Sequence, residues 1–250
     1  MLKIFPVPAF KDNYIWVLQN QGNAIIVDPG DATPVLNILR QYELNMAGIL
    51  ITHHHYDHID GVAQLLNYQH VPVYAPCYHT FPFTTVPLKD GDVVELPAIQ
   101  QSFNIMWLPG HTLDQIAYLN SNSLFCGDVL FGAGCGRLLG GTAAQMFDSL
   151  QKIKQLPPTT QVFCTHEYTA HNIGFALTLE PNNLALIKRK LTVEQLRQAR
   201  QPSLPSTIAL EIETNPFLRC HMPEIIKNSG SESHHALDVF TKIRELRNHY

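Results

Sequence analysis

The segment Thr-His-His-His-Tyr-Asp-His at residues 52–58 constrains this chain more than any other part of its sequence. The four residues before it, Gly-Ile-Leu-Ile, form an apolar run that predicts a buried strand. Apolar residues recur at helical spacing over residues 59–68, which predicts a helix immediately afterwards. The histidine-rich segment therefore lies between a strand and a helix, and loops at the ends of such elements commonly carry functional side chains.

Two pairs of side chains within this segment have the spacing of metal ligands. In an extended loop, residues two apart face the same way, so His53 and His55 can bind one ion. The turn into the helix points Asp57 and His58 in another direction, where they can bind a second ion. Neutral imidazole and carboxylate groups suit zinc, iron and manganese. The simple alternative is a histidine-rich surface loop that binds no metal.

Three later residues are candidates for the remaining ligands, because each of them follows a predicted strand. They are His111 after residues 103–108, Asp128 after residues 123–126, and His166 after residues 161–165. Taken alone, any one of these side chains would more often be structural than a ligand. Their repeated placement at the ends of strands predicts a shared rim that completes the site.

The order of the predicted elements indicates the fold class. Short strands dominate the first half of the chain, and helical periodicity dominates after residue 170. This order predicts a layered α/β (α+β) fold, with two packed sheets, helices outside them, and a helical appendage. We predict a metal-binding hydrolase domain over residues 1–169 and a helical, substrate-binding domain over residues 170–250. Thr33 is expected to cap the first helix, and Thr142 with Gln145 predicts a capping box.

The charge balance and the apolar runs bear on partners and location. The chain of 250 residues has a net charge of −4 with histidine neutral, which gives no support for broad nucleic-acid binding. No stretch approaches about 18 consecutive apolar residues, and the N-terminus lacks the pattern of a signal peptide. We therefore expect no contact with membranes or nucleic acid, and a cytoplasmic location. We also expect a monomer.

The metal motif and several other segments resemble a known family. The order Thr-His-x-His-x-Asp-His, Pro-Gly-His-Thr, Gly-Asp and a late histidine resembles the metallo-β-lactamase superfamily. Further segments, spread from the N-terminus almost to residue 250, resemble the hydroxyacylglutathione hydrolase (glyoxalase II) family within it. They are residues 12–14, 26–31, 134–137, 141–143, 166–169 and 215–219, and the pair Arg244 and Arg247.

The resemblance implies an αββα sandwich with a C-terminal helical domain, and it implies roles for individual residues. His53, His55 and His111 would hold the first metal, Asp57, His58 and His166 the second, and Asp128 would bridge both. Asp57 would also orient the attacking hydroxide, so Asp57 and Asp128 are the expected catalytic residues. Asp28 would orient a ligand histidine.

The implied reaction is hydrolysis of S-D-lactoylglutathione to glutathione and D-lactate, the second step of methylglyoxal detoxification. The implied cofactors are two divalent metal ions, with zinc as the first choice and iron or manganese as alternatives. Glutathione carries two carboxylates, so its site needs cations and hydrogen-bonding groups. The expected contacts are Arg137, Tyr168, Asn172, Arg244 and Arg247.

Several positions depart from the family pattern. Leu139 stands where many members carry tyrosine, Gly140 where many are acidic, and Gly174 where many carry lysine. Asp114 and Gln115 replace the usual Gly-His pair after Pro-Gly-His-Thr. None of these changes removes a metal ligand, but the first three bear on how tightly glutathione binds and leave room for a different thioester.

Other functions of the same fold make different demands on the sequence. A lactonase or β-lactamase would share much of the metal site but not Arg244 and Arg247, and β-lactamases commonly have cysteine in place of Asp128. A tRNA-processing nuclease should carry a basic arm, a persulfide dioxygenase lacks this C-terminal extension, and flavodiiron electron carriers usually have glutamate in place of His55. A non-catalytic metal-binding module should lack at least one ligand, whereas all seven are present.

Overall fold

The computed structural model describes residues 2–250, which form two compact units. Unit 1 contains the described residues up to Trp107 and the stretch Asp114–Gly127. Unit 2 contains Leu108–Leu113 and Asp128–Tyr250. The units therefore interleave along the chain, because a short central stretch belongs to the second unit. The domain boundary predicted after residue 169 stays a prediction.

Unit 1 is built mainly from strands. Its strands are β1 (Lys3–Ala9), β2 (Asn13–Asn20), β3 (Asn23–Val27), β4 (Asn45–Leu50), β5 (Val73–Pro76), β6 (Val86–Leu88), β7 (Val93–Leu96), β8 (Gln101–Trp107), β9 (Ile116–Leu119) and β10 (Ser123–Gly127). Its helices are α1 (Ala32–Gln41), α2 (Tyr56–Ile59) and α3 (Val62–Tyr68), with a 3-10 helix at Pro97–Ile99. Strands β1 to β6 form one sheet in sequence order, antiparallel as far as β3 and parallel from there. Strands β7 to β10 form an antiparallel meander.

The sheet β1–β6 is covered on both faces, which gives unit 1 its layers. In β2, Ile15 and Val17 pack in one core cluster with apolar residues of α1 and α3. Trp16 lies between them and points to the opposite face, where it is buried. The meander lies on that face, since Tyr118 of β9 donates a hydrogen bond to the carbonyl of Ile51 at 2.8 Å. The predicted layered α/β fold is confirmed.

Strand β1 has no counterpart among the predicted strands. It contains Pro6 and Pro8, which lack the amide hydrogen that a central strand would need. The structure places β1 at the edge of the sheet, paired only with β2, where proline is tolerated. Proline therefore weakened the sequence signal of a real strand.

The helix predicted after the histidine-rich segment is divided into α2 and α3. Gly61 separates them, and its amide donates a hydrogen bond to the carbonyl of Pro29 at 3.0 Å. A Cβ at position 61 would collide with that carbonyl, so the close approach of the two backbones requires glycine. This contact holds the loop after β3 against the start of α3.

The helix caps were predicted with mixed success. Thr142 and Gln145 form the predicted capping box at the start of α4. The prediction that Thr33 caps α1 is wrong, because Asp31 is the cap and its carboxylate accepts from the amide of Thr33 at 2.8 Å. Aspartate is as good a cap as threonine, and Asp31 stands two residues before Thr33, so the helix begins earlier than predicted.

Unit 2 is mainly helical. Its helices are α4 (Ala143–Lys154), α5 (Thr169–Leu179), α6 (Leu184–Gln198), α7 (Ile208–Thr214), α8 (Pro223–Ser229) and α9 (Ala236–His249), with a 3-10 helix at Pro216–Leu218. Its strands form two short antiparallel pairs, β11 (Leu130–Phe131) with β12 (Gly134–Cys135) and β13 (Gln161–Cys164) with β14 (Ser206–Thr207). The helical character predicted after residue 170 is confirmed. Within residues 2–250, no helix has the length and apolarity needed to cross a bilayer.

Three side chains from the C-terminal helical region bind main-chain atoms of the loop 131–136. Glu211 accepts a hydrogen bond from the amide of residue 133 at 2.9 Å. Asn215 donates to the carbonyls of residues 131 and 134 at 3.2 and 2.9 Å. Arg244 donates to the carbonyls of residues 135 and 136 at 2.8 and 3.2 Å. The shape of this loop is therefore held by residues far away in the sequence.

A buried ion pair lies at the centre of this arrangement. Arg189 of α6 contacts Glu211 of α7 at 2.5 Å, and Arg189 is 5% exposed while Glu211 is fully buried. Arg189 also donates to the hydroxyls of Thr214 and Ser206 at 2.6 and 3.1 Å. A buried charge is costly unless it is paired and hydrogen-bonded, and here the charges on both helices are satisfied.

Candidate metal centre

Unit 1 brings four of the predicted ligands together at the end of β4. His53 Nε2 lies 3.0 Å from His55 Nδ1, and the rings of His53 and His58 are 4.1 Å apart between centroids. Asp57 Oδ2 lies 3.7 Å from His58 Nε2. Nitrogen and oxygen atoms this close can share metal ions whose bonds are about 2.0–2.2 Å long.

Asn13 holds the carboxylate of Asp57, and sequence reasoning gave this asparagine no role. Its side-chain amide donates to Asp57 Oδ2 at 3.0 Å, and Asn13 is buried. Asn13 begins β2, within the Asp-Asn-Tyr segment that carried part of the family resemblance. That segment was the only signal in the sequence that could have identified it.

Asp28 connects the strand end to a ligand histidine. Its carboxylate accepts from the amide and the hydroxyl of Thr52 at 2.8 and 2.7 Å, and Asp28 Oδ2 lies 3.0 Å from His58 Nδ1. A carboxylate only accepts, so a hydrogen on Nδ1 would face Asp28 and leave Nε2 available as a ligand atom. The structure thus places Asp28 where it can orient His58.

We expect Asp28→Asn to weaken metal binding by about 10–100-fold, the usual effect of losing a group that orients a ligand. The new amide would turn a donor toward Thr52 or His58, both of which also donate. The measurement is competition for the metal with a chromophoric chelator. Asp31→Asn is the matched control, because asparagine caps a helix as well as aspartate does. Equal affinities for wild type and Asp28→Asn would remove Asp28 from the metal centre.

Unit 2 brings the other three predicted ligands together around one carboxylate. Asp128 Oδ2 lies 3.5 Å from His111 Nε2 and 3.3 Å from His166 Nε2. His111 Nδ1 lies 2.8 Å from the carbonyl of Arg137, which can only accept, so Nε2 is the ring atom available to a metal. One oxygen of Asp128 therefore lies near the available nitrogens of two imidazoles, and its bridging role stays a prediction.

Tyr168 and Arg137 lie close to these ligands within unit 2. The ring of Tyr168 stacks on His166, with centroids 4.7 Å apart, and Tyr168 is half-buried. Arg137 has an exposed side chain, while its carbonyl is the group that accepts from His111. Both expected substrate contacts are accessible beside ligands, and their contact with substrate stays a prediction.

The two arginines of α9 differ in their surroundings. Arg244 is 4% exposed, and its guanidinium donates to main-chain carbonyls and to Asn248. Arg247 is half-buried and donates to Asn172 Oδ1 at 3.0 Å. Burial lowers the pKa of Arg247, and the positive charges of Arg244 and Arg137 lower it further. Three guanidinium groups therefore form a concentration of positive charge that favours an anionic ligand.

Asn172 binds other protein groups through both ends of its side-chain amide. Its nitrogen donates to the carbonyl of Gly132 at 3.0 Å, and its oxygen accepts from Arg247. These bonds fit a residue that positions Arg247. Direct contact between Asn172 and substrate stays a prediction.

The positions that depart from the family pattern have distinct environments. Leu139 is 62% exposed, and Gly140 follows it on the surface. At Gly174, a Cβ would lie 2.7 Å from the hydroxyl of Tyr250, so the tyrosine occupies the space that a side chain at 174 would need. Tyr250 also lies 5.9 Å from the Arg247 guanidinium, measured to the ring centroid.

Comparison with known families and proteins extends the likeness over the whole chain. The family described as the metallo-beta-lactamase superfamily matches residues 10–166, and the family described as hydroxyacylglutathione hydrolase C-terminus matches residues 167–250. The chain is 50% identical over 250 residues to a hydroxyacylglutathione hydrolase of Methylobacillus flagellatus, covering all of both chains. It is 48% identical to that of Nitrosomonas europaea, covering all of this chain and 97% of the relative.

Solved structures show the same fold. ETHE1 from Myxococcus xanthus is 23% identical, with a TM-score of 0.69 over 99% of this chain and 91% of the other. The BLEG-1 B3 metallo-beta-lactamase is 26% identical, with a TM-score of 0.63 over 87% of this chain and 99% of the other. TTHA1623, solved in a di-iron-bound form, is 24% identical, with a TM-score of 0.64 over 86% of this chain and all of the other.

Proposed function

Because the chain belongs to the metallo-β-lactamase superfamily and, within it, to the hydroxyacylglutathione hydrolase family, we propose that it hydrolyses S-D-lactoylglutathione to glutathione and D-lactate. The observation that carries this proposal is a sequence identity of about half to two hydroxyacylglutathione hydrolases over the full length of this chain. The identity extends through both the ligand-bearing part and the C-terminal part. The reaction would be the second step of methylglyoxal detoxification. We further propose that the enzyme acts as a monomer in the cytoplasm.

The side chains fit a centre for two divalent ions. His53, His55 and His111 would hold one ion, Asp57, His58 and His166 the other, and Asp128 would bridge them. The support is the chemistry of the donors: imidazole and carboxylate groups lie at ligand spacing in both units, and Asp128 lies between two imidazoles. This donor set suits zinc, with iron or manganese as alternatives. When bound, such ions supply Lewis acidity, which makes water a nucleophile at neutral pH and polarises a carbonyl.

Asp57 is the residue that we expect to orient the attacking water. Its carboxylate is fixed by Asn13 at 3.0 Å, so it is pre-positioned before substrate binds. The leaving group is a thiolate, and a thiol has a pKa of about 8.5, so no strong general acid is needed. Burial raises the pKa of Cys135 despite the nearby Arg244, which keeps that thiol neutral and unsuited to act as a nucleophile.

The positive charge around α9 would bind the carboxylates of glutathione. Arg137 and Arg247 are the accessible members of this group of three guanidinium groups. Arg244 donates to the loop carbonyls, and it contributes only its positive charge to the binding of an anion. Burial is the main cause that lowers the pKa of Arg247, and an anion placed here would offset the further lowering by the charges of Arg244 and Arg137. The peptide of glutathione would lie near Tyr168, whose ring stacks on His166.

We expect Arg247→Ala to raise KM for the glutathione thioester by about 10–100-fold. This fold-change corresponds to the loss of one charge-assisted hydrogen bond, which contributes about 1.5–3 kcal/mol. The contact is remote from the scissile bond, so kcat should change little. Steady-state kinetics separates the two constants. Lys242→Ala is the matched control, because Lys242 lies on the same helix and pairs with Glu245 at 3.4 Å. An unchanged KM in Arg247→Ala would exclude this residue from the substrate site.

Hydrolysis of S-D-lactoylglutathione by the purified protein, with metal content determined on the same sample, tests the proposed function. Fast turnover with close to two ions per chain is the expected result. A protein that carries its ions but does not turn over this thioester would overturn the substrate assignment. Positions 139, 140 and 174 would then be the first to examine for a different acyl or thiol preference.

A further inference from the structure

Unit 1 contains a second group of metal-type side chains that the proposed reaction does not use. His54, His79 and Asp114 each offer one ligand atom, and these atoms lie within 4.8 Å of one another. His54 belongs to the histidine-rich segment, but it is not among the seven proposed ligands. Asp114 is one of the residues that depart from the family pattern, where glycine is usual.

Asp114 has the environment of a carboxylate that lacks a cation. It is 3% exposed, and its Oδ1 lies 2.8 Å from His54 Nδ1. Its other oxygen, Oδ2, is buried and has no hydrogen-bond partner among residues 2–250. A buried acceptor without a partner is unfavourable, because it has lost its water and gained nothing in exchange. A cation bound by both oxygens of Asp114 would satisfy Oδ2 while it also contacts Oδ1.

His79 provides access from solvent. It is exposed and lies in the irregular stretch between β5 and β6, and its ring stacks on His54 with centroids 4.2 Å apart and an angle of 13° between the planes. The lone pair of an imidazole lies in the ring plane, so two stacked rings cannot both point at one ion. Binding therefore requires the His79 ring to turn out of the stack. No helix or strand holds its backbone, so the turn is open to it.

We propose that His54, His79 and Asp114 bind an additional divalent transition-metal ion of the Ni²⁺ or Cu²⁺ type. Two ligand atoms 2.8 Å apart, each about 2.0–2.1 Å from one ion, subtend roughly a right angle. Right angles between nitrogen and oxygen ligands are typical of tetragonal coordination, which Ni²⁺ and Cu²⁺ favour, and differ from the tetrahedral arrangement of structural zinc. Water would complete the coordination.

The test is the number of ions per chain after equilibrium dialysis of the holoprotein against Ni²⁺, measured by elemental mass spectrometry. Wild type should bind one ion per chain more than His79→Ala, whose exposed side chain can be removed without disturbing the fold. His70→Ala is the matched control, because His70 is another exposed histidine of unit 1, and it should bind as many ions as wild type.

Asp114→Asn should also lose the additional ion while keeping the others. Because Asp114 is buried, His79→Ala is the deciding variant, and Asp114→Asn extends the result to the carboxylate. The same count in wild type and His79→Ala would overturn the proposal. The readout is an ion count, so it is independent of whether the protein hydrolyses any thioester.

Discussion

Replacing Asp128 with alanine should abolish hydrolysis of the thioester and lower the metal content of the purified protein. Asp128 Oδ2 lies 3.5 Å from one ligand imidazole, that of His111, and 3.3 Å from another, that of His166. Removal of a group that merely orients a ligand already costs about 10–100-fold, so loss of a bridging ligand should exceed about 100-fold in both affinity and rate. The measurements are turnover of S-D-lactoylglutathione and metal content on the same preparation.

Asp148→Ala provides the control for this prediction. Asp148 is an exposed aspartate on α4 of the same unit, and its loss should leave both activity and metal content at the wild-type level. Full turnover by Asp128→Ala would refute the assignment of this residue as the bridge. Lost turnover with an unchanged metal content would instead limit Asp128 to a role in the reaction, without a role in metal binding.

Arg189→Ala should destabilise unit 2 by about 3–5 kcal/mol, the usual cost of leaving a buried charge without its partner. Glu211 is fully buried, and the nearest positive charge is the Arg189 guanidinium at 2.5 Å. Alanine would also remove the donors to Thr214 and Ser206. Urea-induced unfolding followed by circular dichroism measures the change in the free energy of unfolding.

Two further variants sharpen this prediction. Lys190→Ala, beside Arg189 on the same helix, removes a mostly exposed pair with Glu194 at 3.8 Å and should change stability by less than about 1 kcal/mol. The double variant Arg189→Met with Glu211→Gln removes both charges, so it should be more stable than Arg189→Ala. A double variant as unstable as Arg189→Ala would show that packing, and not the unpaired charge, causes the loss.

The proximity of the proposed ligand residues could be predicted from the sequence because local spacing carries their geometry. His53 and His55 lie two apart at the end of a strand, and the structure places their ring nitrogens 3.0 Å apart. Asp128 and His166 each follow an apolar run, and a buried strand is the structure that such a run predicts. Neighbouring residues set the direction of the chain at these strand ends, so the sequence was sufficient to predict that the side chains lie close together.

Contacts between distant residues could not be predicted in the same way. Arg189 and Glu211 are a pair across helices, and neither residue belongs to a motif or to an apolar stripe. The different surroundings of Arg244 and Arg247 also escaped prediction, because helical spacing places both on one face but does not say which guanidinium is buried. Long-range pairing of polar groups is decided by tertiary packing, which leaves no periodic signal.

The loop 131–136 is held by Glu211, Asn215 and Arg244 through its peptide groups. Every amino acid supplies the same carbonyl, and every one except proline the same amide, so these bonds do not depend on which side chains stand at 131, 133 and 135. The intervening Gly132, Gly134 and Gly136 leave no room for a Cβ. Recombination between homologous genes near codon 170 would join this loop to the C-terminal segment of a relative. The bonds would form again wherever that segment carries counterparts of Glu211, Asn215 and Arg244. Exchange of C-terminal segments among such relatives is therefore expected to leave the path of this loop unchanged beside Asp128.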